Sequence, residues 1–136
     1  NVQLDPKTAP EALRLALADA QIKLAADPCL LPKAIKNPVE ISGAKAAGKR
    51  DGAAMVRFLA WLDDAAPKGG LTEIDVVKQL EKFRHETNAL RDISFETICG
   101  AGAHGAIVHY RVTQVSNSPV KLGELLLIDS TRYDRP

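Results

Sequence analysis

Gly100-Ala-Gly-Ala-His-Gly-Ala-Ile-Val-His-Tyr-Arg111 and Leu125-Leu-Leu-Ile-Asp-Ser130, both near the end of the chain, decide how it is interpreted. The second stretch is apolar up to Asp129, which predicts a buried strand with a carboxylate at its end. The first places His109 on a β-branched stretch that alternates like another strand. An ionised carboxylate buried there requires a cation, because an unpaired buried charge is costly. The pair therefore predicts half of a metal-dependent site.

Spacing alone leaves other interpretations open for each of these side chains. A single His on a strand is more often structural than catalytic, and the same holds for His104 in the preceding loop. Asp129 could instead form a salt bridge or cap a turn. His85 lies on the polar side of a helical pattern and is expected at the surface.

The glycines of the first stretch match a dinucleotide-binding fingerprint, Gly100-x-Gly-x-x-Gly105, by spelling. That fingerprint requires a helix N-terminus directly after the glycines, where backbone amides meet the pyrophosphate. Here the residues Ala106–Arg111 predict a strand instead. The glycines are therefore interpreted as a connection between two strands.

Two helices are predicted before these strands. Asn37 is a favourable N-cap, and apolar residues at helical spacing continue from it to about Asp64. After a break at Pro67–Gly70, Thr72 begins a second helix with Asp75 at capping-box spacing. Three strands follow, namely Ile93–Cys99, Ala106–Arg111 and Leu125–Asp129. This order predicts an α+β fold with a mainly antiparallel sheet.

The first residues predict a small βαβ-like piece, the tail of a preceding α/β domain. Val2–Leu4 and Ile22–Ala26 are strand candidates, and Thr8 is expected to cap the helix between them, with Glu11 in a capping box. An irregular linker follows. The predicted divisions are 1–36 for the domain tail and linker, 37–130 for the main unit and 131–136 for an atypical tail.

Composition limits the class of protein. The chain is 46% hydrophobic, and its 18 Lys and Arg nearly balance 17 Asp and Glu, which argues against a nucleic-acid or membrane-surface binder. No apolar run approaches the roughly 20 residues that span a bilayer, and no signal peptide is recognised. Cys29 and Cys99 lie far apart and are expected to be reduced and buried in a cytoplasmic protein.

Five stretches together resemble the Xaa-Pro aminopeptidases (aminopeptidase P), which are pita-bread metallopeptidases. The stretches are Asp27–Asn37, Arg50–Met55, Phe95–Ile98, Gly105–Tyr110 and Leu127–Ser130. The resemblance runs through nearly all of the chain. It implies the first half of a pita-bread catalytic domain, preceded by the end of the non-catalytic domain.

The resemblance also implies an activity, which is hydrolysis of the bond between an N-terminal residue and a following proline. The family holds two divalent metals, commonly manganese, between two Asp, one His and two Glu. Asp129 matches the first Asp, and His109 matches a His that contacts the substrate and the developing tetrahedral species.

The residues after Ser130 depart from the family pattern, because the expected glycine is absent and the second Asp would lie beyond Pro136. One metal ligand of five remains. The chain alone is therefore expected to be inactive, to bind metal no better than weakly and to be a piece of something longer. The alternative is a non-enzymatic pita-bread module that binds peptides or proteins. Half a domain leaves a sheet uncovered, which predicts self-association.

Overall fold

The computed structural model describes residues 1–134, and the chain divides into two compact units, residues 1–41 and the residues from 42 onward. The six strands and four α-helices described run in the order β1 (Val2–Leu4), α1 (Glu11–Ala16), β2 (Ile22–Leu24), α2 (Leu30–Ala34), α3 (Pro38–Ala65), α4 (Glu73–His85), β3 (Leu90–Ile93), β4 (Ile98–Ala101), β5 (Leu126–Asp129) and β6 (Arg132–Asp134). The unit boundary falls inside the first turn of α3. The domain boundary expected after residue 36 stays a prediction.

The first unit contains the expected βαβ arrangement. β1 and β2 pair in parallel, with Val2 opposite Ile22 and Leu4 opposite Leu24. The Asp5 carboxylate accepts hydrogen bonds from the backbone amides of Lys7 and Asp27, which lower the pKa of Asp5. This side chain therefore ties the ends of both strands together.

Two local expectations for this unit were wrong. Thr8 does not cap α1, which begins at Glu11 after Pro10 without a side-chain cap. Thr8 instead lies in a turn, and its own backbone amide donates to the Asp5 carbonyl at 3.2 Å. The predicted irregular linker contains the short helix α2, and Cys29 in front of it is exposed rather than buried.

Both predicted long helices are confirmed, together with their caps. The Asn37 side-chain oxygen accepts from the amides of Val39 and Glu40 at 2.9 Å, and the Glu40 carboxylate accepts from the Asn37 amide at 2.8 Å. Thr72 and Asp75 form a second reciprocal capping box at the start of α4. Each box satisfies amides that have no partner within the helix.

The core of the second unit lies between these helices and β4. Phe58 of α3, Val76 and Leu80 of α4 and Cys99 of β4 are fully buried there. Burial of a large apolar side chain contributes about 1.5–3 kcal/mol. Partly buried side chains surround this cluster: Met55, Trp61, Leu62, Val77, Phe83, Val120, Leu126 and Ile128.

Two antiparallel strand pairs complete the second unit, which confirms the α+β prediction. β4 and β5 pair in register from Ile98 opposite Asp129 to Ala101 opposite Leu126. β3 pairs with β6, and a register shift lies between Leu90 and Asp92. The β4–β5 pair lies over the core and carries Asp129 at its end.

The strand predicted over Ile93–Cys99 is in fact two strands in different ladders. β3 ends at Ile93 and pairs with β6, whereas β4 begins at Ile98 and pairs with β5. The exposed residues Phe95 and Glu96 lie in the bend between them. Which strand a segment pairs with depends on distant parts of the chain, so the local alternation of apolar and polar residues does not predict a change of partner.

The strand predicted over Ala106–Arg111 was also wrong. A 3-10 helix covers Gly102–Ala106, and a turn follows in which His109 adopts a positive φ of 55°. Within the described residues no helix begins after Gly105, so the condition set for a dinucleotide site is not met.

The segment expected to be an atypical tail contributes a strand to the fold. β6 covers Arg132–Asp134, and the Asp134 carboxylate lies 2.8 Å from guanidinium nitrogens of both Arg50 and Arg132. The side chains of Arg132 and Asp134 are each 3% exposed, whereas Tyr133 between them faces outward. The last two residues of that tail, 135 and 136, lie outside the described residues.

Candidate active site

Asp129 is the last residue of β5, as predicted. Side chains alternate along the strand, so Leu126 and Ile128 pack on the core while Leu127 and Asp129 lie on the opposite face. The Asp129 carboxylate is thus exposed, and the expectation that it would be buried is wrong. Within residues 1–134, no hydrogen bond or ion pair engages it. This arrangement leaves its oxygens free to bind a cation.

His109 reaches the same place from a turn rather than from a strand. The Ile107 amide donates to the His104 carbonyl at 3.1 Å, and the Tyr110 amide donates to the Ile107 carbonyl at 3.2 Å. The positive φ of His109 is uncommon outside glycine, and such outliers cluster at functional sites. His109 is exposed.

The structure therefore brings the two predicted site residues together. His109 and Asp129 line one cleft of about 340 Å³. The other lining residues are Phe95, Glu96, Ile98 and Arg111. Two carboxylates, an imidazole, a guanidinium and two apolar side chains thus line one space large enough for part of a peptide. The Glu96 carboxylate forms an ion pair with Arg111 at 3.3 Å, whereas the Asp129 carboxylate is unpaired within residues 1–134.

A buried carboxylate, Glu73, lies at the start of α4 and is 0% exposed. Its oxygens accept from the Ala101 amide at 2.8 Å, the His104 ring Nδ1 at 2.9 Å, and the Tyr110 hydroxyl and Ser118 amide at 3.0 Å. Burial alone would raise the pKa of Glu73. The hydrogen bonds outweigh this effect and lower the pKa, because they stabilise the ionised form.

Two aromatic rings pack against each other at this carboxylate. The ring centroids of His104 and Tyr110 are 4.5 Å apart. The Tyr110 hydroxyl also lies 3.3 Å from the Ser116 carbonyl, and burial raises the pKa of Tyr110. The sequence left the role of His104 open, and in the structure its ring contacts Glu73 and Tyr110. His85 is exposed, as predicted.

Sequence reasoning missed Glu73 as part of this region. Its place next to the Thr72 cap marked it as a first-turn acid, which favours the helix dipole. Nothing in the spacing indicated that its side chain would reach β4 and the His109 turn. Neighbouring Cys99 is no candidate nucleophile, since burial raises the pKa of its thiol to about 12.

The described residues contain no complete set of metal ligands. No group of three or more His, Cys, Asp or Glu side chains that could hold a metal ion occurs in residues 1–134. Asp129 fits a single hard-cation ligand, because its carboxylate is exposed and free. No helix in that part of the chain combines the length and apolarity needed to cross a membrane.

Known proteins show which family this arrangement represents. The model of metallopeptidase family M24 matches residues 42–133. Aminopeptidase P2 of Arabidopsis thaliana is 46% identical over 99 residues, covering 72% of this chain and 14% of that relative. Xaa-Pro aminopeptidase 1 of Dictyostelium discoideum is 32% identical over 136 residues, covering 97% of this chain and 22% of that relative.

Solved structures agree on the fold. The X-prolyl aminopeptidase of Caenorhabditis elegans, described as a cytosolic enzyme with a dinuclear active site, superposes with a TM-score of 0.75. It is 28% identical and covers 83% of this chain and 19% of its own. The Xaa-Pro dipeptidase of Bacillus anthracis gives a TM-score of 0.70 at 22% identity, covering 96% of this chain and 35% of its own, and supports the fold alone.

The chain therefore belongs to metallopeptidase family M24, and its α+β arrangement is part of the pita-bread fold. The relatives that it matches in sequence are mainly Xaa-Pro aminopeptidases, as the resemblance implied. It spans about a fifth of the length of these curated relatives, from 14% to 22%.

Proposed function

We propose that this chain supplies part of the active site of a metal-dependent Xaa-Pro aminopeptidase. Asp129 is the proposed metal ligand, and His109 is the proposed contact to the substrate. One observation carries the proposal: the cleft of about 340 Å³ is lined by both side chains, and the Asp129 carboxylate is exposed and unpaired within residues 1–134. Membership of a metallopeptidase family supports the same assignment.

In the proposed site, Asp129 would contribute one carboxylate oxygen ligand to a pair of divalent metals, manganese by family resemblance, which would supply a bound water acidic enough to act as a nucleophile near neutral pH. His109 would donate a hydrogen bond to the substrate oxygen on which negative charge develops, where a positioned donor is stabilising. Since residues 1–134 contain no group of three or more side chains that could hold a metal ion, we expect the chain alone to bind metal no better than weakly and not to turn over peptide.

A chimera tests this assignment. Residues 42–130 replace the matching segment of the C. elegans X-prolyl aminopeptidase, and hydrolysis of an Xaa-Pro peptide is measured with Mn²⁺. The chimera is expected to be active, Asp129→Asn to abolish turnover, and His109→Ala to lower kcat more than it raises KM. Full activity of a folded Asp129→Asn chimera would refute the ligand role. Peptide binding without turnover in the unmutated chimera would favour the non-enzymatic module.

The substrate and the cellular location are proposed from the same relatives. A peptide with proline in the second position is the proposed substrate, supported by the names of the Xaa-Pro aminopeptidases. The cytosol is the proposed location, supported by the C. elegans enzyme that is described as cytosolic. Self-association is proposed because apolar side chains at β5 and the His109 turn are exposed, among them Val108 at 81% and Leu125 at 72%.

A further inference from the structure

We infer that Glu73 is the positioning residue that fixes His109 relative to Asp129. The inference rests on the proposed function for what His109 does, but the placement itself is argued from contacts of the described chain. Glu73 touches neither side chain of the candidate site. It acts through the backbone segments that carry them.

Glu73 holds both ends of the turn that carries His109. His104 and Tyr110 lie on either side of His109 along the chain, and both donate to the Glu73 carboxylate, at 2.9 and 3.0 Å. One buried group therefore holds both ends of the segment 104–110. The intervening residues must bend, and His109 takes its positive φ inside this clamp.

Glu73 also binds the strand pair that carries Asp129. The same carboxylate accepts from the Ala101 amide at the end of β4. β4 pairs with β5 in a register that places Ile98 opposite Asp129. A single carboxylate thus ties together the turn with the imidazole and the ladder with the proposed metal ligand. A shift of Glu73 changes their separation.

The four hydrogen-bond partners of Glu73 require a carboxylate at this position. An ionised Glu is an acceptor only, with about four lone-pair sites, and here it meets four donors. A Gln side chain offers one acceptor oxygen and an amide that donates. That amide would face the Ser118 N–H or the Ala101 N–H, which are donors themselves. Gln is therefore similar in shape but cannot satisfy the set.

The experiment compares Glu73→Gln, Tyr110→Phe and the control Glu86→Gln in the 136-residue chain. Glu86 lies at the other end of α4, and within residues 1–134 its side chain forms just one ion pair, an exposed one with Arg57. NMR records the His109 imidazole signals and amide hydrogen exchange. Neither readout depends on metal or turnover, so a failure of the proposed function leaves the result interpretable.

Glu73→Gln is expected to shift or split the His109 ring signals. It is also expected to speed exchange at Ala101 and Ser118 by about ten-fold or more, since hydrogen bonds to a charged group are strong. Exchange in the middle of α3 stays unchanged. In Glu86→Gln, the His109 ring signals and the exchange at Ala101 and Ser118 stay unchanged. Tyr110→Phe produces the same His109 shift with a smaller effect at Ala101, and it decides the question if Glu73→Gln does not fold. Unchanged His109 signals in a folded variant, or equal acceleration throughout α3 and the turn, would overturn the inference.

Discussion

Glu73 and Asp129 are two carboxylates with opposite surroundings. Glu73 is fully buried and accepts four hydrogen bonds, whereas Asp129 is exposed and, in residues 1–134, has no partner. A buried ionised group is tolerated only when its lone pairs are satisfied. A free carboxylate in a cleft is available to a ligand. Burial and partners, rather than residue type, separate the structural acid from the proposed metal ligand.

The pKa of Glu73 predicts a specific dependence of stability on pH. Its folded-state pKa lies below the ordinary value of 4.5, so its contribution is fully present above about pH 4.5 and is lost as pH falls through the folded-state pKa. Glu73→Gln is expected to lower the free energy of unfolding by about 1–3 kcal/mol at pH 7. Urea titrations from pH 7 to pH 3 measure both proteins. The two curves should converge toward acid, and a constant gap would contradict the assigned pKa direction.

At the residue scale, the sequence predicted which side chains belong to the candidate site better than it predicted their surroundings. Asp129 at the end of an apolar strand was readable, because the pattern before it is local. The reason first given for its importance, burial, was wrong, since alternation places Asp129 and Leu127 away from the core. The turn at His109 depends on Glu73, which is 36 positions earlier by residue number and outside any local window.

At the scale of elements, the sequence specifies the N-termini of helices most directly. The capping boxes of α3 and α4 each involve residues three positions apart, so the pattern contains the whole interaction. Strand limits were less accurate, because Ile93–Cys99 pairs with two different strands. Thr8 shows the limit of the capping rule, since its spacing is right and no cap forms.

The two threonines provide a matched test at this scale. Thr72→Ala removes the side chain that accepts from the Asp75 amide and is expected to destabilise the second unit by about 0.5–2 kcal/mol. Thr8→Ala, at a similar sequence pattern without a cap, should change stability by less than about 0.5 kcal/mol. Denaturant unfolding followed by the fluorescence of Trp61 reports the first variant, and far-UV circular dichroism reports both. Equal effects would contradict the assignment of the caps.

Gly100 is the position in β4 where a side chain would clash with the neighbouring 3-10 helix. A Cβ there would lie 2.8 Å from the Gly105 nitrogen and 2.9 Å from the His104 carbonyl oxygen, and both are backbone atoms that cannot rotate away. Gly100→Ala is expected to cost about 1–3 kcal/mol. Gly48→Ala, in α3 with nothing within 4 Å, should instead stabilise by about 0.5–1 kcal/mol. Thermal unfolding of both variants measures the contrast, and a neutral Gly100→Ala would show that the strand and the 3-10 helix are not in close contact.

The surroundings of Gly48 and Gly52 on α3 bear on why the helix contains glycine. Glycine inside a helix can allow another backbone to approach closely. No atom lies within 4 Å of a Cβ at either position, so the described residues contain no such approach. The α3 glycines therefore have no packing explanation in this part of the chain.

On the scale of the whole molecule, the chain covers between 14% and 22% of the length of the curated relatives that it matches. Many of its apolar side chains face outward. Ile107, Val108 and Leu125 are at least half exposed. Such surfaces favour association. We expect a dimer or larger species at micromolar concentration, measured by light scattering. Val108→Lys with Leu125→Lys should shift it toward monomer, whereas Val56→Lys on α3 should not. A monomeric parent chain would contradict this expectation.

The fold class and the family were predictable because they depend on element order and short motifs. The β6 strand was not, since its pairing with β3 and its ion pairs with Arg50 join segments far apart in sequence. The same holds for the cleft, whose walls come from three separate stretches. Sequence therefore predicted the parts of the site, and tertiary contacts determined their arrangement.

The central claim is that the cleft holding Asp129 and His109 is a partial metal site. The most direct test is a titration of the ¹⁵N-labelled chain with Mn²⁺, whose unpaired electrons broaden nearby NMR signals even when binding is weak. The account predicts broadening centred on Ile98, His109 and Asp129, lost in Asp129→Asn and retained in the surface control Asp63→Asn. Broadening that is centred elsewhere, or that survives Asp129→Asn unchanged, would contradict it.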